Sequence, residues 1–411
     1  MKKDDALSLP KDWEIKKLGK VCEIQRGLTY SGKDAVEFSN NIVLRATNIN
    51  LKKSSLDFSE LKYLRNDFSI QDKYKLKNGS LLICFSSGSK SHLGKVALID
   101  NSYDYAFGGF IGQINPSKEI LSRYLFYSMI SDNYKTYISE LTDGININNL
   151  KIKDLQEYKI PIPPLPEQKR IVSILDKAFS VIERSRNNAE QNLKNAKELF
   201  ESYLQGVFEN KDKMWNETTL SKITLDIADG DHMPPPKTKT GIPFITISNI
   251  DKEQYQIDFS NTFFVPIEYF ENIKAKRKPK KGDVLYTVTG SYGIPVLIDT
   301  EFEFCFQRHI GLIRPKKYIN SKWLFYWILS PQAIKQANET ATGTAQRTVS
   351  LTALRNFIIP EISLKQQKQI VEKLDKLSSE TKKLEVVYQQ KLGDLEELKK
   401  SILQKAFNGE L

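Results

Sequence analysis

The chain has 411 residues, 40% of them hydrophobic, and its 61 lysines and arginines outnumber 50 acidic residues for a net charge of +11. That composition excludes a disordered chain, supports more than one core and suits a polyanionic partner. Three scattered cysteines (Cys22, Cys84, Cys305) and three scattered histidines (His92, His232, His309) argue against a disulfide framework or a metal centre.

The first 160 residues or so hold short β-rich runs, IVLRATNI, SLLICFS, KVALID and FGGFIGQI, bounded by Gly, Asn, Asp and Ser clusters. A short amphipathic helix, SRYLFYSMI, is expected next, and the helical spacing of its aromatics assigns them to a core. From about Pro166 to Phe208 a long helix is expected, with Pro166 suited to the first helical position. Its apolar residues Ile171, Leu175, Ala178, Ile182, Ala189, Ala196, Leu199 and Tyr203 recur in steps of four and three, broken at Ser185 and Asn192. That 3.5-residue period marks a coiled-coil seam. The polar segment Glu209–Lys213 reads as a joint.

A second mixed stretch carries FITISNI, DVLYTVTG, PVLI and FCFQRHIGLI, then the helix SKWLFYWIL. A second long helix should run from about Lys365 to Phe407, opened by a capping box of Ser363 and Gln366. Its seam is Ile370, Leu374, Leu377, Leu384, Leu395, Leu398 and Ile402, interrupted at Thr381 and Lys391. A helix of about 43 residues spans about 65 Å. Each stripe needs a partner, the other helix is the simplest one, and an antiparallel pair places one globular domain at each end.

The two stretches are copies. Pro161 and Pro360, Gln168 and Gln367, Ile171 and Ile370, Leu175 and Leu374, Asp176 and Asp375, Phe208 and Phe407, and Gly144 and Gly343 all stand 199 apart. Upstream the offset drifts, pairing Gly79 with Gly282 and Asn48-Ile49 with Asn249-Ile250. The fold class is therefore α+β: tandem copies near 1–208 and 212–411, divided as a mixed α/β domain (1–160), a long helix (161–210), a second mixed α/β domain (211–360) and a second long helix (361–411). The helices pair as an antiparallel coiled coil.

LPKDWEIKKLGKV at the start, IPIPPLPEQKRIVSILD at the first junction, IIPEISLKQQKQIVEKLD at the second and LKKSILQKAFNGEL at the end resemble the specificity subunits of type I restriction–modification enzymes, over nearly the whole chain. The resemblance implies that each globular part is a target-recognition domain reading one half of a split double-stranded DNA target. It implies that the coiled coil and adjoining surfaces hold two methyltransferase subunits, and that two motor–nuclease restriction subunits can join. Copy two has Ser363 and Lys365 where copy one has Pro164 and Pro166, and the capping box supplies that helix start.

No catalytic residues are expected. The Asn/Asp-Pro-Pro-aromatic motif and glycine-rich cofactor loop of a methyltransferase are missing. SGSKSHLGKV fails as a phosphate loop, with Ser89 for the first glycine and Val96 for the metal-binding hydroxyl. A fused enzyme is disfavoured on those grounds, and a pure scaffold leaves two differing β-rich domains unexplained. No cofactor, metal or membrane is expected. The N-terminus lacks the apolar run of a signal peptide and nothing approaches a membrane span in length, so a soluble, cytoplasmic protein is expected.

Domains that fold alike and read different bases should agree where they fold and differ where they read. That contrast selects Ser86, Ser87, Ser89, Lys90, Ser91 and His92 in copy one, and Thr289, Ser291 and Tyr292 at the matching place in copy two. It also selects Gln307, Arg308 and His309, which stand where copy one has Gly108-Gly109-Phe110. Arg forks onto guanine and Gln onto adenine, and Arg26 and Arg45 are the comparable candidates in copy one. Asp231 and His232 lie in a turn, DGDHMPPP, expected to touch DNA. Arg347 and the basic run containing Lys276, Arg277 and Lys278 are assigned to phosphates.

Overall fold

The computed structural model describes residues 9–142, 149–209, 215–232, 235–344 and 346–411. Gly144, most of the joint at 209–213, Met233, Pro234 and Ala345 lie outside them. Two compact units emerge, Met1–Ala189 with Gln390–Leu411, and Glu190–Gln389.

In the first unit a four-stranded antiparallel sheet runs in the order Cys22–Arg26, Ile111–Pro116, Leu81–Cys84, Val96–Leu98. A second sheet orders Ala106–Phe107, Asn41–Leu44, Lys62–Leu64 and Ala35–Val36. Every residue of Leu81–Cys84 is buried, because both faces of that strand are covered. One face meets the cluster of Tyr124, Leu125 and Tyr127, the other that of Leu44, Ile49 and Phe107. The strand Glu14–Lys17 pairs with Lys159–Ile162 and so closes the domain at the base of the long helix.

The second unit repeats this plan. Its main sheet orders Thr224–Asp229, Ile310–Pro315, Val284–Thr287 and Pro295–Leu297. Its smaller sheet has three strands, Phe263–Val265, Ile242–Ile245 and Cys305–Phe306, and Asn216–Thr219 pairs with Ile358–Glu361.

The residues shared by the copies are structural staples. Gln168 is fully buried; its Oε1 accepts from the Leu121 amide at 2.8 Å and its Nε2 donates to the carbonyls of Pro163 (2.9 Å) and Glu119 (2.8 Å). Gln367 makes the same set with Asn320, Ile362 and Tyr318. A buried amide that fills its valences locks the start of the helix to the loop ahead of the short helix. Asn48 and Asn249 are likewise buried, each holding one backbone amide and two carbonyls. Gly79 and Gly282 share a positive φ, +81° and +92°, which glycine adopts without strain.

The long helices run Leu165–Glu209 and Leu364–Asn408. The capping box forms: Gln366 Oε1 accepts from the Ser363 amide at 3.0 Å, and Ser363 Oγ accepts from the Gln366 amide at 3.4 Å. In the first unit Arg170 donates to the Leu411 carbonyl (2.5 Å) and Arg186 pairs with Glu396 (3.3 Å), so the pairing is antiparallel. There Ile171 and Leu175 join Leu403, Ala406 and Phe407 in the domain core; in the second unit Leu374 and Val371 join Leu204 and Phe208. Ile182, Ala189 and Ala196 are buried and Ala178, Leu377, Leu395 and Ile402 partly so.

Leu199, Tyr203, Leu384 and Leu398 are exposed. Beyond Ala196 the buried face of the first helix passes through Phe200, Leu204 and Phe208 instead. Steps of four replace alternating steps because a straight helix drifts about 20° per heptad from a 3.5 repeat. Thr381, expected to interrupt the seam, is buried within it. Its hydroxyl donates to the Leu377 carbonyl of its own helix at 3.0 Å, which removes the penalty of an unpaired hydroxyl.

Candidate nucleic-acid interface

In the first unit several sequence-selected residues meet where the main sheet ends. The Phe85 and Ser86 amides both donate to the Phe110 carbonyl at 3.0 Å, and the Ser86 hydroxyl meets Asn149. Arg26 donates to the Leu150 carbonyl at 3.1 Å while its guanidinium lies 5.1 Å from the Phe85 ring centroid. From the smaller sheet, the Gly108 amide donates to the Leu44 carbonyl at 2.9 Å, which brings Arg45 to the same rim. Arg45 Nε is buried without a hydrogen-bond partner, and its charge opposes the burial that pushes the Tyr30 phenol up.

Beyond Ser86 the loop folds on itself. Ser89 and Ser91 hydroxyls are 2.9 Å apart, Lys90 donates to the Thr142 carbonyl at 3.3 Å, and Lys90–His92 form a 3-10 turn. Gly88 to Ser91 are exposed, while Ser86, Ser87 and His92 are half-buried.

The second unit builds its rim from the same elements with different side chains. The Arg308 amide donates to the Asp231 carbonyl (3.0 Å), the Gln307 amide to Ile245 (3.0 Å) and the Val288 amide to His309 (2.9 Å). Arg308 is exposed, and Arg308 Nε lies 3.4 Å from His309 Nε2. Arg347 donates to the Asn338 carbonyl at 2.7 Å and lies 5.7 Å from the Tyr292 ring centroid; Tyr292 in turn donates to Asn338 Oδ1 at 2.9 Å. The Gly290 amide donates to the Arg347 carbonyl, Thr289 bridges Thr348, and Ser291 is exposed.

Beside this rim lies a cavity of about 250 Å³ lined by Gly230, Asp231, Tyr269, Lys274 and Arg277. Tyr269 donates to Asp231; burial and that carboxylate together push its phenol pKa up. Asp229 collects both His232 Nε2 (2.5 Å) and Arg277 (2.9 Å). Carboxylates in a basic surface orient cations and can accept from cytosine N4.

The structure divides the basic run. Lys274, Lys276, Lys280 and Lys281 are exposed. Arg277 is tied to Asp229, and Lys278 donates to the Glu271 carbonyl at 3.0 Å and sits 4.7 Å over Phe270. The loop is tethered by Arg314, which pairs with Asp283 through Nε (2.9 Å) and Nη2 (2.6 Å) and also donates to the Lys278 carbonyl (2.7 Å). Tyr30, Phe110, Asn149, Asp229 and Tyr269 were not selected from sequence. Phe110 and Asp229 carried a signal, since each stands where the copies differ, opposite His309 and Arg26; Asn149 and Tyr269 reach the rims through tertiary structure alone.

Cys22, Cys84 and Cys305 are buried and free. Among the described residues no helix is long and apolar enough to cross a membrane.

A family model described as the type I restriction modification DNA specificity domain matches residues 10–194 and again 226–392. The chain is 27% identical over 430 residues to the type I restriction enzyme EcoKI specificity subunit of Escherichia coli K12, covering 98% of this chain and 90% of that one. It is 29% identical over 431 residues to the MjaVIII specificity subunit of Methanocaldococcus jannaschii, covering 98% and 94%. In fold it is similar to a chain from a solved type I R-M system (TM-score 0.79, 19% identity, 98% and 100% covered) and to the HsdS subunit of Thermoanaerobacter tengcongensis (0.62, 19%, 99% and 100%).

Proposed function

This chain belongs to the type I restriction–modification DNA specificity family, and from that premise we infer that it is the non-catalytic, DNA-reading subunit of such an enzyme. Each mixed α/β domain reads one half of a bipartite double-stranded target. The observation that carries this reading is the pair of rims: one scaffold, repeated, presents Arg26, Arg45, Ser86 and Phe110 in one copy and Asp231, Gln307, Arg308 and His309 in the other. Identical scaffolds with different donors and acceptors are what two unlike half-sites require.

Phosphate contacts fall to the exposed lysines near 274–281 and to Arg347, which supply affinity without sequence preference. Two methyltransferase subunits dock on the paired helices and adjoining surfaces and carry the chemistry; two restriction subunits join that assembly. The protein acts in the cytoplasm.

Three measurements test this. Gel shift with the methyltransferase partner should show sequence-specific binding, and the chain alone with S-adenosylmethionine, ATP and magnesium should neither methylate nor cleave. Methylome sequencing of cells carrying chain and partner should return a split motif, of which exchange of residues 1–160 for another member's domain changes one half only. A change in both halves overturns the assignment of one half-site per domain.

A further inference from the structure

The clearest chemical difference between the rims is a three-residue turn. Strands Ala106–Phe107 and Cys305–Phe306 lead into it, and Ile111–Pro116 and Ile310–Pro315 lead out. The geometry matches: the Ile111 amide donates to Gly108 at 2.9 Å, and the Ile310 amide to Gln307 at 3.1 Å. Gly108-Gly109-Phe110 thus superimposes in role on Gln307-Arg308-His309.

In the second unit all three side chains carry hydrogen-bonding groups. In the first, two are absent and the third is a phenyl ring. A Cβ on Gly108 would sit 3.3 Å from Tyr30 Cε1, so Tyr30 fills the space a longer side chain would need. Phe110 is 70% exposed although its backbone is fixed by two hydrogen bonds from Phe85 and Ser86. Isolated exposed apolar residues are ordinary on protein surfaces. Here the ring is held on an ordered turn, at the place the other copy gives to an imidazole beside an arginine, and Ser86, whose amide holds the Phe110 carbonyl, itself meets Asn149.

We propose that Phe110 is a specificity-determining residue of the first domain that reads the 5-methyl group of a thymine in the major groove. A phenyl ring offers no hydrogen bond to a base edge, whereas the thymine methyl is the apolar group on that face of the duplex. The inference rests on the DNA-reading function above and deepens it: the first half-site must contain a thymine whose methyl group matters.

The test uses the chain assembled with its methyltransferase subunits and synthetic duplexes carrying the target, with deoxyuridine replacing each thymidine of the first half-site in turn. Uracil differs from thymine by that methyl alone. At one position the substitution should weaken binding about fourfold, which is the transfer of one methyl group, about 0.8 kcal/mol. Phe110→Ala should bind the thymine duplex at least fourfold more weakly and lose sensitivity to uracil at that position, with second-half-site preference unchanged. A first half-site without thymine, a wild-type protein indifferent to every uracil, or a Phe110→Ala protein that keeps the uracil penalty would each overturn the proposal. Uniform weakening of all duplexes by Phe110→Ala would do so too, assigning the ring to wedging between bases. Loss of sequence-specific binding by the wild-type complex would instead defeat the DNA-reading function itself.

Discussion

The Arg314–Asp283 pair is a place where the copies differ inside the fold, and exchanging it tests how each copy closes the same space. Arg314 and Asp283 side chains are only 13% and 4% exposed, and the bidentate contact with Asp283 raises the arginine's pKa further. In the first unit the matching residues are Asn115 and Ser80, whose hydroxyl donates to Asn115 Oδ1 at 2.7 Å. There Gln113 Oε1 accepts from the Lys77 amide at 3.0 Å, where Asp283 Oδ2 accepts from the Lys280 amide in the second unit. Leu312 occupies the place of Gln113.

Arg314→Asn alone leaves a buried carboxylate with one backbone amide for company, which costs about 3–5 kcal/mol. For a unit of this size that lowers Tm by roughly 6–20 °C. Converting all three positions to the first unit's set (Asp283→Ser, Leu312→Gln, Arg314→Asn) removes the orphaned charge and should recover most of the loss. The bond to the Lys278 carbonyl stays lost in both variants, about 1 kcal/mol. The assay is thermal unfolding beside salt-dependent DNA binding. The triple variant should unfold near the wild type yet bind DNA more weakly, with a shallower salt slope, because Arg314 no longer tethers the lysine loop. A triple variant no more stable than Arg314→Asn, or one with wild-type salt dependence, would refute this account of the pair.

Gln168→Ala orphans one buried amide and two carbonyls at once and should destabilise the first unit by about 3 kcal/mol or more, read as a lower unfolding temperature with second-half-site recognition retained. Arg308→Ala should relax base preference in the second half-site by about 1–3 kcal/mol, whereas Lys274, Lys276 and Lys280 changed together to Ala should weaken all sequences alike and flatten the salt slope by about one unit per lost phosphate contact; comparing matched and mismatched duplexes separates the two. Burial pushes the Cys22 and Cys305 thiols up to about 12 from an ordinary 9.0. A raised acid pKa leaves its stabilisation intact below pH 9 and erodes it as pH climbs from 9 to 12; alkaline unfolding should steepen in that window, and the native protein should resist iodoacetamide at pH 8.5.

The repeat made most of the architecture legible. Residues 199 apart, such as Gln168 and Gln367, are the ones that hold corresponding junctions, and the 3.5-residue stripe gave two long helices. SRYLFYSMI and SKWLFYWIL form helices at Ser122–Ser128 and Ser321–Leu329, with Tyr124 and Trp323 fully buried. Of the smaller sheet, Asn41–Leu44 was legible in IVLRATNI, but Ala35–Val36 and Lys62–Leu64 were hidden because they run only two and three residues and are set by pairing partners elsewhere in the chain. The helices Asp132–Thr142 and Pro331–Thr340 were hidden by low apolar content. At the rims, sequence contrast located the turn at Gln307–His309 but could not divide the basic run, since burial alone separates Arg277 and Lys278 from their exposed neighbours. It also passed over Phe110, because a hydrogen-bonding criterion for base readout has no place for a phenyl ring.

Two copies of one fold in one chain act as each other's control. Two pairs of identical polar residues are buried and hydrogen-bonded alike: Gln168 and Gln367 hold the helix starts, Asn48 and Asn249 hold the hairpin bends. Gly27 and Gly230 match for a related reason, since a Cβ at either would collide with the carbonyl of Phe107 or Phe306 where the two sheets cross. Polar residues that differ fall into two sets. One is internal and compensated, Ser80 with Asn115 against Asp283 with Arg314, so each copy closes the same space with its own pair. The other is at the sheet ends, Gly108-Gly109-Phe110 against Gln307-Arg308-His309, where Phe110 and Arg308 are exposed and Gln307 and His309 half-buried. A substitution in the first class must be answered within the same domain or the fold weakens. One in the second class changes only what the rim presents to a base pair. New recognition can therefore arise by altering a handful of turn residues while every staple stays in place.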